Sequence, residues 1–229
     1  MKKFEQELEA LRGRLVEMGE LARSMVAMSI SAMTDLAAVY QKVLQVEEQV
    51  DQMQLTIDHE AVRLLTVYTP VAGDLRFLLS ASRVNSSLEH IGDQAVGLCH
   101  NLDFSARHAD AAELPKLRRM GDLAQEMVRD ALQAFVIKDA SLARAIIAKD
   151  DVVDALYDEI MMEILSDDIV RQAIAGPRDI AGALTQVLLA RSLERMADQA
   201  TNICEEVIYM VKGDDIRHSH PEHKPVEGP

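Results

Sequence analysis

This chain of 229 residues has no tryptophan, four phenylalanines, four tyrosines, six prolines and only two cysteines. Without rings to fill a core, its apolar material is Ala, Leu, Val, Ile and 12 Met. That set suits helices packed side by side, because unbranched side chains lose little rotamer freedom in a helix. Two cysteines make no disulfide framework and read as free, buried thiols. Nowhere do 18 apolar residues follow one another, so no spanning helix is expected. Met1-Lys2-Lys3-Phe4-Glu5 runs straight into charge, without the apolar stretch of a secretory signal, which predicts a soluble, cytoplasmic protein. Basic residues are also scarce, 24 against 38 acids, for a formal net charge of −14. A nucleic-acid partner is disfavoured, since phosphate neutralisation needs a basic face; metal ions or basic protein surfaces fit better. No Gly-rich phosphate loop, Gly-x-Ser-x-Gly or Glu-x-x-His occurs. The first two absences leave no nucleophile constellation, and the third counts against a di-iron oxidase bundle, so no enzyme activity is expected.

What the chain does contain, it contains twice. Leu88-Glu89-His90-Ile91-Gly92-Asp93-Gln94-Ala95 returns as Leu193-Glu194-Arg195-Met196-Ala197-Asp198-Gln199-Ala200, and Cys99 returns as Cys204, all at a step of 105 residues. Met18-Gly19-Glu20-Leu21-Ala22 recurs as Met120-Gly121-Asp122-Leu123-Ala124 at a step of 102, and Val50-Asp51 as Val153-Asp154 at 103. A step that drifts so slightly is what short loop insertions between matched helices produce. Any chemistry should therefore come in pairs.

Leu15, Met18, Leu21, Ala22, Met25, Met28, Ala32 and Met33 step by threes and fours, as do Leu117, Met120, Leu123, Ala124, Met127, Ala131, Ala134 and Phe135. Both sets predict amphipathic helices, ending near Thr34-Asp35 and Lys138-Asp139, where Thr and Asp are good caps for a following helix. Second helices should run to about Tyr68 and about Ile174, broken by Thr69-Pro70-Val71-Ala72-Gly73 and Ala175-Gly176-Pro177-Arg178. Asp74 and Asp179 are placed to cap third helices that reach about Phe104 and about Lys212. Ser105 to Pro115 reads as a linker. The expected fold is all-α: two tandem three-helix bundles, residues 1–107 and 108–213, six long helices in all, with a mobile tail over 214–229.

Glu89 and Asp93 stand four apart, as do Glu194 and Asp198; the middle helices repeat the spacing at Glu47/Asp51 and Asp150/Asp154. Each pair stacks two carboxylates on one helix face. With 38 acids in 229 residues, about six such pairs arise by chance, but four at equivalent places in two repeats do not. Their mutual repulsion is relieved by a hard multivalent cation. The alternative is a solvated acidic face copied by duplication. In the second repeat Asn202 and Glu206 extend the row by further steps of four from Asp198, with Glu205 beside them. In the first, Asn85 lies one turn before Glu89, and Gly97 and Asn101 stand at the matched places.

The two Leu-Glu-[His/Arg]-[Ile/Met]-[Gly/Ala]-Asp-Gln-Ala segments resemble the PhoU family of bacterial phosphate-signalling regulators. So do Pro70-Val-Ala-Gly-Asp74-Leu-Arg76 and the run from Asp198 through Asn202, Glu206 and Tyr209 to Gly213. The likeness spans about Phe4 to Gly213. It implies two three-helix bundles in tandem and multinuclear iron or zinc sites at Glu47, Asp51, Glu89 and Asp93, then at Asp150, Asp154, Glu194 and Asp198. It also implies a regulator that couples a phosphate ABC transporter, through its ATPase PstB, to the sensor histidine kinase PhoR. Such a protein would reach the membrane only peripherally, through its partners, and a homodimer is a further assembly it allows. The chain departs from the family in having Gln94 and Gln199 where His often follows the motif Asp, and in Gly97 where an Asn, kept at Asn202, is usual. A carboxylate-bridged metalloenzyme and a metal-free helical scaffold are the competing readings.

Overall fold

The computed structural model describes residues 2–108, 115–164 and 177–217. Six helices account for nearly all of them: α1 (Lys2–Ala32), α2 (Leu36–Tyr68), α3 (Ala72–His108), α4 (Pro115–Ile137), α5 (Ala140–Ile164) and α6 (Pro177–Lys212). Within each repeat every helix packs on the other two, so α1 to α3 and α4 to α6 form two three-helix bundles. The apolar stripes behave as their spacing requires: Leu15, Met18, Ala22 and Met25 are buried in α1, and Leu117, Met120, Ala124 and Met127 in α4.

Turn chemistry sets the boundaries. Asp35 caps α2 by accepting the Ala38 N–H at 3.2 Å, and Asp139 caps α5 by accepting from Ser141 and Leu142 at 2.8 and 3.0 Å. Thr69 closes α2 in the left-handed region (φ 42°), its N–H reaching back to the Leu65 carbonyl. Three expectations change. Asp74 lies in the first turn of α3, which starts two residues earlier at Ala72. There it favours the positive end of the helix dipole without being the cap. At the far end α3 continues past Phe104 to His108. Small polar residues do not stop a helix unless Pro or Gly intervenes, Ser105 is buried, and Arg107 pairs with Asp103 one turn back. After Gly213 (φ 79°), where a left-handed turn ends α6, the chain folds back: Ile216 packs on the core and Arg217 pairs with Asp215. The stretch of the second middle helix expected between Ile164 and Ile174, the side chain of Asp179 and the tail after Arg217 lie outside the described residues.

The two bundles share one buried core. Their most extensive contact is α3 against α6, the largest between any two helices, supported by α1 against α4. Gly97 faces Ser192, Ser80 and Arg83 meet Glu206, and Arg76 lies over Gly213, so α3 and α6 run antiparallel. On the α1/α4 side the contact is reciprocal. Gly19 lies under the Leu132 methyls and Gly121 under Ile30, and these residues correspond in pairs between the repeats. Each glycine lets a neighbouring helix approach where a Cβ would intrude.

Candidate functional site

The register between α2 and α3 brings the first two acidic pairs together. Tyr40 stands edge-on to His100 at 5.7 Å between ring centroids, Asn85 Nδ2 donates to the Gln54 carbonyl at 3.0 Å, and Ser82 Oγ donates to Asp58 at 3.1 Å. Continued along the antiparallel pair, this register sets Glu47 opposite Asp93 and Asp51 opposite Glu89. The electrostatics agree. Glu47 is held above the usual carboxylate range by burial and by Asp51, Asp93 and Glu48, with His100 opposing. Glu89 is raised by burial and by Asp93, Asp51 and Glu47, with His90 opposing.

The second repeat builds the same group deeper. Asp150 on α5 is pushed up to about 7, first by burial and then by Asp198, Asp154 and Glu194. Glu194 and Asp198 on α6 are also raised, chiefly by burial, with Asp154 and the neighbouring motif acid adding to it in Glu194 and Asp154 alone in Asp198. Four carboxylates from two helices thus stand near one another in each repeat. In both groups part of the set stays open to water, since Asp93 and Asp154 are exposed while Glu47, Glu89, Asp150, Glu194 and Asp198 are half-buried.

Two residues that the spacing adds to the second group do not join it. Glu206 is 4% exposed and points into the α3/α6 interface, where Ser80 Oγ donates to it at 2.9 Å and Arg83 at 3.0 and 3.3 Å. Asn202 is exposed, and its Nδ2 donates to Gln199 Oε1 at 3.3 Å. The physical reason is helical drift. A step of four overshoots one turn by roughly 40°, so two further steps from Asp198 carry Glu206 about 80° off the acidic face. A step of three leads back across that face to Thr201, which faces Asp150 and eases its pKa slightly downward. The approach falls short of a hydrogen bond, since Thr201 Oγ1 and Asp150 Oδ1 are both buried without a partner. Thr201 and His100 are the neighbours that the four-residue spacing missed; steps of three and seven from the motif Asp would have found them.

Among the described residues no three His, Cys, Asp or Glu side chains converge tightly enough to hold an ion as they stand. The donor set nevertheless suits one. Each group offers four carboxylates whose charges repel, and in the second the buried Asp150 carboxylate oxygen Oδ1 has no hydrogen-bond donor. A hard cation answers both conditions. The cysteines take no part: Cys99 and Cys204 are free and buried, and burial raises both thiols, Cys99 to about 11.

The model of the PhoU domain matches residues 15–102 and again residues 117–207. This chain belongs to the PhoU family. It is 37% identical over 220 residues to the phosphate-specific transport system accessory protein PhoU homolog of Pseudomonas putida, covering 94% of this chain and 83% of that protein. To the Escherichia coli K12 phosphate-specific transport system accessory protein PhoU it is 33% identical over 221 residues, covering 94% and 88%. The crystal structure of PhoU from Pseudomonas aeruginosa superposes with a TM-score of 0.84 at 35% identity, covering 92% of this chain and all of that one. The phosphate transport system regulatory protein PhoU from Streptococcus pneumoniae gives 0.79 at 26%, covering 93% and 98%. The two-bundle PhoU fold therefore extends over 92–93% of the chain, and no helix among its described residues is long and apolar enough to cross a membrane.

Proposed function

We propose that this PhoU-family chain is a cytoplasmic negative regulator of the phosphate-starvation response. It would couple a phosphate ABC transporter, through the ATPase PstB, to the sensor histidine kinase PhoR by protein–protein contact. The observation that carries this reading is the doubled PhoU match, with relatives at 33–37% identity over 94% of the chain named as accessory proteins of phosphate-specific transport. The molecule offers long helical faces for docking and an acidic surface that suits basic partners. With no spanning helix described, its attachment to the membrane would follow its partners. Self-association as a homodimer belongs to the same reading and would appear as a doubled mass in sedimentation.

Within this role Glu47, Asp51, Glu89 and Asp93, and separately Asp150, Asp154, Glu194 and Asp198, would hold iron or zinc. Such ions would neutralise the carboxylates and cross-link the middle and third helix of each repeat. The residues themselves keep four acids at the α2/α3 and α5/α6 contacts, and carboxylate oxygens are the ligands such cations accept. No catalytic step is assigned to them.

Deleting the gene, in a genome with no second one of its kind, should switch on phosphate-starvation genes in phosphate-rich medium. Normal repression in that strain would contradict the regulatory reading. Elemental analysis tests the metal sites separately: a variant with all eight acids replaced by Ala should lose the bound metal, and equal content in wild type and variant would remove the sites.

A further inference from the structure

Resting on the reading of this chain as a regulator that acts by protein contact, we propose that the outer groove between α2 and α3 docks one amphipathic helix of a partner protein. That helix is about 18 residues long, with apolar side chains at one end and lysine or arginine at the other. The groove is graded in the complementary sense, from exposed leucine and valine at its Val71 end to the first acidic group at the other.

Two rows of side chains line it. On α3, Leu75, Leu79, Ser82, Ser86, Glu89 and Asp93 follow one another by alternating steps of four and three, which keeps them on one face. On α2, Asp51, Leu55, Asp58 and Val62 do the same, starting one turn after Glu47. Ser82 Oγ donates to Asp58 at 3.1 Å, so the two rows meet. In the antiparallel register this sets Val62 level with Leu78 and Leu79, and Glu47 level with Asp93. The apolar end stays open to water: Val71, just before α3, is 76% exposed, Val62 62%, Leu55 55%, and Leu75 and Leu79 37% each. Exposed apolar side chains scattered singly need no explanation, but five along one groove mark an interaction surface. Leu79 also has an exposed counterpart in the second repeat, Leu184, 105 residues on.

Charge decides what sort of helix fits. Within residues 47–66 and 75–93 the only lysines or arginines are Arg63, which turns to Glu7 of α1, and Arg76 and Arg83, which lie over Gly213 and against Glu206 on the α6 side. None faces the groove, and at its acidic end Glu47 and Glu89 are half-buried beside the exposed Asp93. A docked helix therefore meets acceptors for basic side chains there and apolar contact at the other end. From Leu75 to Asp93 the groove runs about 27 Å at 1.5 Å per residue, the length of a helix of about 18 residues. A helix laid along two others sets its ridge of side chains into the groove they leave. A second copy of this chain is a poor source of the basic end, with 24 Lys and Arg against 38 acids, and the acids repel an anionic lipid surface.

The full chain is tested in chelator, because an ion on the same acids would compete with a basic side chain. Lactam-stapled helical peptides of that length, with Leu at steps of three and four in one half and Lys in the other, in both orders, are titrated by fluorescence anisotropy. One order should bind. L75S/L79S should weaken it about tenfold or more, and E89Q/D93N about fivefold at low salt and far less at high salt. V136S, at an exposed valine of α4, should change nothing. No binding of either peptide, equal binding of a peptide with Glu in place of Lys, or unchanged affinity in L75S/L79S, its fold verified by circular dichroism, would each overturn the proposal. Binding seen only after residues 218–229 are removed would give the groove to the chain's own tail. Self-association lost in L75S/L79S, with no peptide bound, would give it to a second copy; either result overturns the proposal. In cells lacking the native gene, the L75S/L79S chain should fail to repress phosphate-starvation genes, whereas V136S should repress them. Normal repression by L75S/L79S would overturn the proposal and leave the regulatory reading standing. Normal repression with no chain present would overturn the regulatory reading, and peptide affinity alone then decides the groove.

Discussion

Asp150 shows how one buried acid ties folding to pH. Its pKa is near 7 in the fold, far above an unfolded aspartate, so between about pH 4 and pH 7 the native state binds the extra proton. Stability then falls as pH rises through that window and levels off above it. Glu194, Asp198, Glu47 and Glu89, all raised, add to the same slope. The metal-free protein should therefore melt at a higher temperature at pH 5 than at pH 8. Asp150→Asn should flatten the dependence and stabilise the pH 8 form by roughly 1 kcal/mol, after allowing for screening at this partly exposed site. A melting temperature that does not change with pH, measured by calorimetry, would count against the burial of these acids. Glu206 is a buried acid of another kind, its charge answered by Arg83 and Ser80. Arg83→Met should cost about 1–3 kcal/mol in chemical denaturation by leaving a buried carboxylate with one fewer donor. The motif acids were legible from spacing because four repeats of a rule outweigh chance. Glu206 was not, since a row of four-residue steps looks straight in sequence and spirals in space.

At the scale of helices, apolar periodicity and caps carried most of the information. Asp35 and Asp139 cap where their residue types promised, and the stripes in α1 and α4 turn inward as spaced. The ends of α3 were less legible, because capping residues compete with neighbours that also tolerate helix. In sequence the repeated Met-Gly-[Glu/Asp]-Leu-Ala segment speaks only of duplication; its glycines are where α1 and α4 touch. A Cβ on Gly19 would meet Leu132 Cδ2 at 2.6 Å, and one on Gly121 would meet Ile30 Cγ1 at 3.3 Å. Gly19→Val should cost about 1–3 kcal/mol through overpacking. Leu132→Ala, destabilising alone, should offset part of that cost in the double variant. Strict additivity in urea melts would mean that the two residues do not press on each other.

For the whole molecule, an internal repeat with separate apolar faces is compatible, in sequence, with two modules that fold independently. The shared core and the α3/α6 contact join them instead. Buried surface between the repeats couples them, so urea unfolding followed by circular dichroism and by a probe in either repeat should give one coincident transition; two separated midpoints would refute the coupling. The sequence could not show this, because a helix face that packs on its own bundle and one that packs on the neighbouring bundle have the same periodicity. The reciprocal glycine contacts carry a further consequence. Gly19 with Leu132 and Ile30 with Gly121 is an isologous pattern, in which one patch meets its own counterpart across a local twofold axis, as at the interface of a symmetric dimer. A single repeat, expressed alone, already owns both sides of that interface and should pair with a second molecule of itself, so the tandem chain is in effect a dimer whose subunits have been fused head to tail and have since been free to diverge.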